Sequence, residues 1–253
     1  MTVTMILALI LFLLMIGIGG VKGFGAFISL WINFGILFAM IMMINWGFNI
    51  FVILLIGSLL VLLITILSAG ADEETTTIAM LASMIVMVVL VAIIFPMEHL
   101  NLAQGFAVEN SEELESLSLQ IGLNFVNIGI VAALLATLGA IAEASIAITS
   151  GFDEIASHHP EMRLVDLLKA GAHLGQQIVG TAVNTVLFGF MADFLSLGVM
   201  FAKLNYSFGD ILNSKLFVAS MLAMLYAFLG VILVLPVSLL LIRIRRNRVQ
   251  SDK

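Results

Sequence analysis

The chain has 253 residues, 62% of them hydrophobic and 10% charged, and its mean hydropathy is +1.22. Soluble domains carry about 25% charged residues, so this composition excludes one and points to an all-α, polytopic membrane protein. The absence of cysteine excludes disulfides, thiol catalysis and zinc–thiolate sites, and a net charge of −6, with basic residues concentrated in the last eleven, argues against a nucleic-acid partner.

About 20 apolar residues cross a bilayer as a helix, and seven such runs are expected within one transmembrane domain, 1–253. The first, 3–20, has no basic residue before it and Lys22 after it, which is the polarity of a retained span rather than a signal peptide. The second covers 24–44, and Asn45-Trp-Gly-Phe48 makes a short turn with Trp46 at the interface. The third covers 48–69. Asp72-Glu-Glu-Thr-Thr-Thr77 then breaks the apolar pattern with residues able to cap the next helix. The fourth span, 77–95, is expected to close at Pro96.

A long polar connection, 97–120, holds Glu98, Glu109, Glu112, Glu113 and Glu115 and no Lys or Arg. Within it, Asn110 to Leu117 reads as a short capped amphipathic helix, and the glutamates read as a solvated face. The fifth span covers 121–149, with Asn124 and Asn127 at its opening. The segment 150–171 is polar and contains Pro160; its apolar residues suggest a place in the membrane interface. The sixth span covers 174–201, a turn follows over 203–215, and the seventh covers 216–242 with a kink expected at Pro236. The tail, 243–253, is basic.

Seven spans put the termini on opposite sides. With the tail inside, eight of the ten basic residues are cytoplasmic and only Lys203 and Lys215 are outside. The positive-inside rule therefore gives an N-out, C-in topology, with 97–120 outside and 150–171 in the cytoplasm.

The chemistry is expected in the fifth and sixth spans. Glu143 sits inside an apolar run, where a carboxylate needs a partner, a proton or a function. Ala136, Gly139, Ala140, Glu143, Ala147 and Ser150 recur at helical spacing, so Gly139 and Ala140 are expected to pack closely against a neighbouring helix, with Glu143 in that interface. The sixth span carries a matching polar face of His173, Gln177, Thr181, Asn184 and Thr185, with Gly180 alongside as a packing residue. Counted inward from the cytoplasmic ends, Glu143 and Thr181–Asn184 lie at similar depth, roughly 10–15 Å. A contact between them is expected. Glu143, Gln177, Thr181, Asn184 and Thr185 are thus candidates for an ion or proton relay, and Asp193, in the outer third of the sixth span, is either a second relay site or, the better reading, a side chain that reaches the outer headgroup region.

The run Gly139-Ala-Ile-Ala-Glu-Ala-Ser-Ile-Ala-Ile-Thr-Ser150-Gly-Phe-Asp-Glu-Ile155 also carries a family resemblance. With Pro160, Leu164-Val-Asp-Leu-Leu-Lys-Ala-Gly171 and Gly175-Gln-Gln-Ile-Val-Gly180-Thr-Ala-Val-Asn184-Thr185, it resembles the YibE/F family of bacterial membrane proteins. Gly-Thr-x-x-Asn-Thr at 180–185 is the most specific part. The chain is similar to the shorter, YibF-type members. The resemblance implies a multi-pass place in the bacterial cytoplasmic membrane and pairing as a homo-oligomer or with a YibE-type paralogue. Members of that family often carry charged residues where this chain has Gln176 and Gln177, and an aspartate at Glu143. The first departure removes a charge pair across the two helices; the second is conservative. A shorter pattern, Gly139-x-x-x-Glu143 followed by Ser150 and Asp153-Glu154, resembles a proton-relay helix of the RND, MMPL and SecD/SecF proteins. It implies that the last six spans form a bundle like one RND half, without the large external domain.

Other chemistries are weaker. Glu154 and His158, at i and i+4, could share a metal on a helix, but the spacing matches no zinc-protease motif, and a solvated segment is the better reading. The fifteen methionines read as helix filler. No intramembrane protease signature is present, so no enzyme and no cofactor are expected. Two readings follow: a membrane transporter or transporter subunit, proton-coupled through Glu143 with an unspecified substrate, or a non-transporting assembly or scaffold subunit. In the second, Glu143 and Asn184 would only join helices.

Overall fold

The computed structural model describes residues 2–101, 103 and 125–251. Asn124 and the expected amphipathic helix with Glu109, Glu112, Glu113 and Glu115 lie outside the described residues. The chain is all-helical: α1 (Val3–Asn45), α2 (Ile50–Ser68), α3 (Glu73–Asn101), α4 (Phe125–His158), α5 (Leu164–Lys203), the short α6 (Phe208–Asn213) and α7 (Lys215–Ser251). Six of these are long and apolar enough to cross a membrane.

The first is not straight. Gly20 adopts φ +56° and ψ −133°, a conformation open to glycine and strained for a side chain. The ring of Phe12 lies 6.2 Å from Phe24 and 4.8 Å from Phe27. Twelve residues of straight helix would separate Phe12 from Phe24 by about 18 Å. The helix therefore doubles back at Gly20, giving two arms, and counting them separately makes seven long apolar helical segments among the described residues. The arm before Gly20 is exposed along most of its length.

The second arm of α1 joins α2 through a polar seam. Ser29 donates to Ser68 at 2.9 Å, Asn33 Nδ2 donates to Thr65 Oγ1 at 2.9 Å, and Lys22 Nζ donates to the Gly70 carbonyl at 3.1 Å. Hydrocarbon supplies no competing partner for such groups. In a double-mutant cycle with Asn33→Leu and Thr65→Val, the Asn33–Thr65 pair is expected to couple by about 0.6–1.7 kcal/mol, measured by unfolding in a membrane mimetic. Coupling indistinguishable from zero would show that the seam does not hold the two helices.

The core is built by α3, α4 and α7, with α2 closing one side and α5 the other. Leu90 and Ile94 of α3, Leu134, Leu138, Ile141 and Ile148 of α4, and Val231 and Val234 of α7 are fully buried. Gly230 lets α7 approach the others: a Cβ there would lie 2.9 Å from Ile141 and 3.1 Å from Leu90. In the middle of this core Ser83 and Ser145 share a buried hydrogen bond of 2.7 Å.

Several helices run further than hydropathy marks them. Pro96 lies inside α3, which continues to Asn101 rather than closing there. α4 continues through the polar residues 150–158, and α5 begins at Leu164 rather than 174. A small second core explains the extension: Phe152, Ala156, Leu167 and Ile242 pack with Ile78 at these ends. Phe152 fills the space beside Gly171, where a Cβ would lie 2.6 Å from its ring, and the Arg246 guanidinium of α7 lies 5.3 Å from the Phe152 centroid. Arg245 pairs with Glu74 at 3.2 Å in the same region. The turn 203–215 is also partly helical: α6 is opened by a capping box between Ser207 and Asp210.

Asp72 caps α3, accepting the Thr75 N–H at 3.1 Å. The hydroxyl and N–H of Thr75 hold its carboxyl below the usual value of 3.8. A depressed carboxyl stabilises the fold above its unfolded pKa, and that contribution is lost as pH falls through the folded value. Amide protection in the first turn of α3 is therefore expected to hold at neutral pH and fall below pH 3.8, with Asp72→Asn flattening the profile. Equal profiles for the two proteins would refute the cap.

Candidate functional site

α4 and α5 run antiparallel, joined by the turn between His158 and Leu164. Glycines on both helices set their approach. Leu174 of α5 occupies the space beside Gly151 of α4, Phe152 of α4 that beside Gly171, and Leu235 of α7 with Ile148 of α4 that beside Gly175. The pairing of Phe152 with Gly171, and of Ile148 with Gly175, puts Glu143 level with Gly180 and Thr181.

At that level a cleft of about 250 Å³ opens between the helices, lined by Glu143, Ala144 and Ala147 of α4 and by Leu174, Gln177, Ile178, Thr181, Ala182 and Thr185 of α5. Four relay candidates thus meet: Glu143, Gln177, Thr181 and Thr185. Asn184 is exposed on α5 but does not line the cleft, and Asp193 lies more than two turns further along α5, also exposed. The threonine hydroxyls donate back along their own helix, Thr181 to the Gln177 carbonyl and Thr185 to the Thr181 carbonyl, each at 3.1 Å. Their oxygens still have room to accept. Glu143 makes no hydrogen bond or ion pair among the described residues, so the expected Glu143–Thr181 or Glu143–Asn184 bond is replaced by a shared cleft.

The expected packing face is also corrected. Gly139 and Gly180 are exposed, and a Cβ on either would meet nothing within 4 Å. Ala140 is partly buried against the main core. The side of α4 that packs is the bulky one, through Leu134, Leu138, Ile141 and Ile148. A carboxylate fits badly there, so the helix turns Glu143, with Ala136 and Gly139, away from the core. The cleft consequently faces outward from the bundle.

The second acid of interest escaped the sequence reading. Glu98, placed there in the outer polar connection, is only 6% exposed, and Tyr226 of α7, 3% exposed, donates its hydroxyl to Glu98 Oε1 at 3.2 Å. The missed signal was spacing: Glu98 follows the buried Leu90 and Ile94 at intervals of four on the same face of α3.

Glu154 and His158 do meet, at 3.2 Å, but both are exposed. Among the described residues, no group of three or more His, Asp or Glu side chains converges as a metal site. Asn127 is partly buried in the first turn of α4.

A family model described as YibE/F-like protein matches residues 7–248. No curated protein and no solved structure matches the chain.

Proposed function

The chain belongs to the YibE/F-like family, and from that premise we propose that it is a transporter or transporter subunit of the bacterial cytoplasmic membrane, coupled to protons through Glu143. The observation that carries this reading is the cleft between two membrane helices that Glu143, Gln177, Thr181 and Thr185 line together. A bare carboxylate facing hydrocarbon is costly, so the group calls for a proton, a cation or hydrogen-bond donors. A site that exchanges one of these for another as α4 and α5 shift is the elementary step of coupled transport. Thr181, Thr185 and Gln177 would orient whatever sits on the carboxyl.

The orientation that fits is N-out and C-in. The ends of α4 and α5 at the 158–164 turn, the N-terminus of α3 and the arginines of α7 then gather on the cytoplasmic side, as the distribution of basic residues requires. The reading assigns the chain no enzymatic activity. The alternative, a non-transporting assembly or scaffold subunit, is favoured by the outward placement of the cleft, because an open polar face in a bilayer also suits a binding surface.

A growth screen separates the two. A strain lacking the protein would carry wild type, Glu143→Gln or an empty vector, and face toxic ions, lipophilic compounds and envelope stresses. Transport requires that wild type restore growth on one class and Glu143→Gln fail at matched abundance. Equal rescue by both would make Glu143 structural.

A further inference from the structure

We propose that the outward face of α4 and α5 is a subunit interface, and that its occupant is a second copy of this chain, which closes the Glu143 cleft from the other side. The inference deepens the reading of that cleft and rests on its place within the membrane.

The most apolar stretch of α5 is only 6% buried inside the chain. For its apolar residues, such as Phe188 and Leu195, lipid is an adequate neighbour. For the polar ones it is not. Glu143, Gln177, Thr181, Asn184 and Thr185 are all exposed on these two helices, and lipid tails neither donate nor accept hydrogen bonds. The side-chain amides of Gln177 and Asn184, like the Glu143 carboxyl, make no hydrogen bond among the described residues. Gly139 and Gly180 add open space on both helices, which permits close backbone approach by another helix.

What identifies the occupant is self-complementarity. A twofold axis along the membrane normal preserves depth and brings the same patch of both copies together. Glu143 is level with Gly180 in the α4–α5 pairing, so it lies between the levels of Gln177 and Asn184. The acceptor of one copy therefore lies about 5 Å in depth from the amide donors of the other, on either side of it, which is within the reach of these side chains. A partner of different sequence would have to supply those donors at that depth by separate design. An isologous dimer supplies them automatically, and it removes the polar face of both copies from lipid.

The absence of cysteine makes the test direct. Gly139→Cys, Gly180→Cys and Asn184→Cys would be introduced singly, with Leu55→Cys, 63% exposed on α2, as the control facing lipid. Two differently tagged copies would be co-expressed and oxidised with copper phenanthroline in native membranes. Disulfides form only when Cα atoms come within about 7 Å. The expected result is a product carrying both tags, twice the mass of a 27.3 kDa chain, several-fold more abundant from at least one α4–α5 position than from Leu55→Cys. Three results would overturn the proposal: cross-linking no stronger than the control, a product of another mass, or a single chain per particle by native mass spectrometry. The outcome is separable from the transport reading. A dimer with fully active Glu143→Gln would leave the interface standing and remove the relay; an inactive Glu143→Gln in a monomeric particle would do the reverse.

Discussion

Glu143→Gln is expected to reduce the protective activity of the protein by roughly 100-fold or more, the usual contribution of a positioned proton-transfer group, while leaving its abundance and fold unchanged. The substitution keeps the size and the hydrogen-bonding capacity of the side chain and removes only its ability to take up and release a proton. Its surroundings make the comparison clean. Glu143 lines an open cleft, and its neighbours Thr181 and Thr185 already satisfy their own donors along α5. No buried partner is stranded by the change, so the cost falls on function rather than stability. Matched immunoblots, a melting curve and the growth screen would decide it. Full rescue by Glu143→Gln, combined with failure of Glu143→Leu to accumulate, would point to helix joining and favour the scaffold reading.

The largest effect on stability is expected at Gly230. A side chain there would press on Ile141 at 2.9 Å and Leu90 at 3.1 Å, both fully buried. α3 and α4 would have to part from α7 to admit it. Overpacking of this kind costs about 1–3 kcal/mol and more where the walls belong to separate helices, so Gly230→Leu is expected to accumulate poorly and unfold early. Gly180→Leu is the contrast. Nothing lies within 4 Å of a Cβ at that position, and a change at an open site alters stability by no more than about 0.5 kcal/mol. Both would be measured by unfolding in a detergent that holds the chain monomeric. If Gly180→Leu proved the more damaging there, the packing described for α5 would be wrong.

These two glycines show where the sequence was legible and where it was not. The helical class, the family and the shared depth of Glu143 and Thr181 follow from apolar run length, motif and depth counted from the helix ends, whereas the expected bond to Thr181 or Asn184 does not form. The packed side of α4 does not. Small residues at helical spacing suit an interface inside the chain and one between chains equally well, and only the placement of Ile141 and Ile148 against α7 and α5 decides that Gly139 and Gly180 stay open. Helix ends were misplaced for a related reason. Hydropathy measures what prefers lipid, whereas Phe152, Ala156 and Leu167 continue helical packing beyond it. Glu98 was lost to the same error, since a charged residue after a proline reads as the start of a loop.

The length of α4 and α5 has a mechanical consequence. At 34 and 40 residues they are rods of about 50 and 60 Å in a hydrocarbon layer about 30 Å thick. Much of that excess is stiffened by the packing of Phe152 beside Gly171. A rod held in a layer thinner than itself is a lever. Because Phe152, Ala156, Leu167 and Ile242 clamp the two helices at the His158–Leu164 end, they would tilt there as one body, and a tilt beginning beside Glu143 would move that turn, where a soluble partner or a spectroscopic label could reach it.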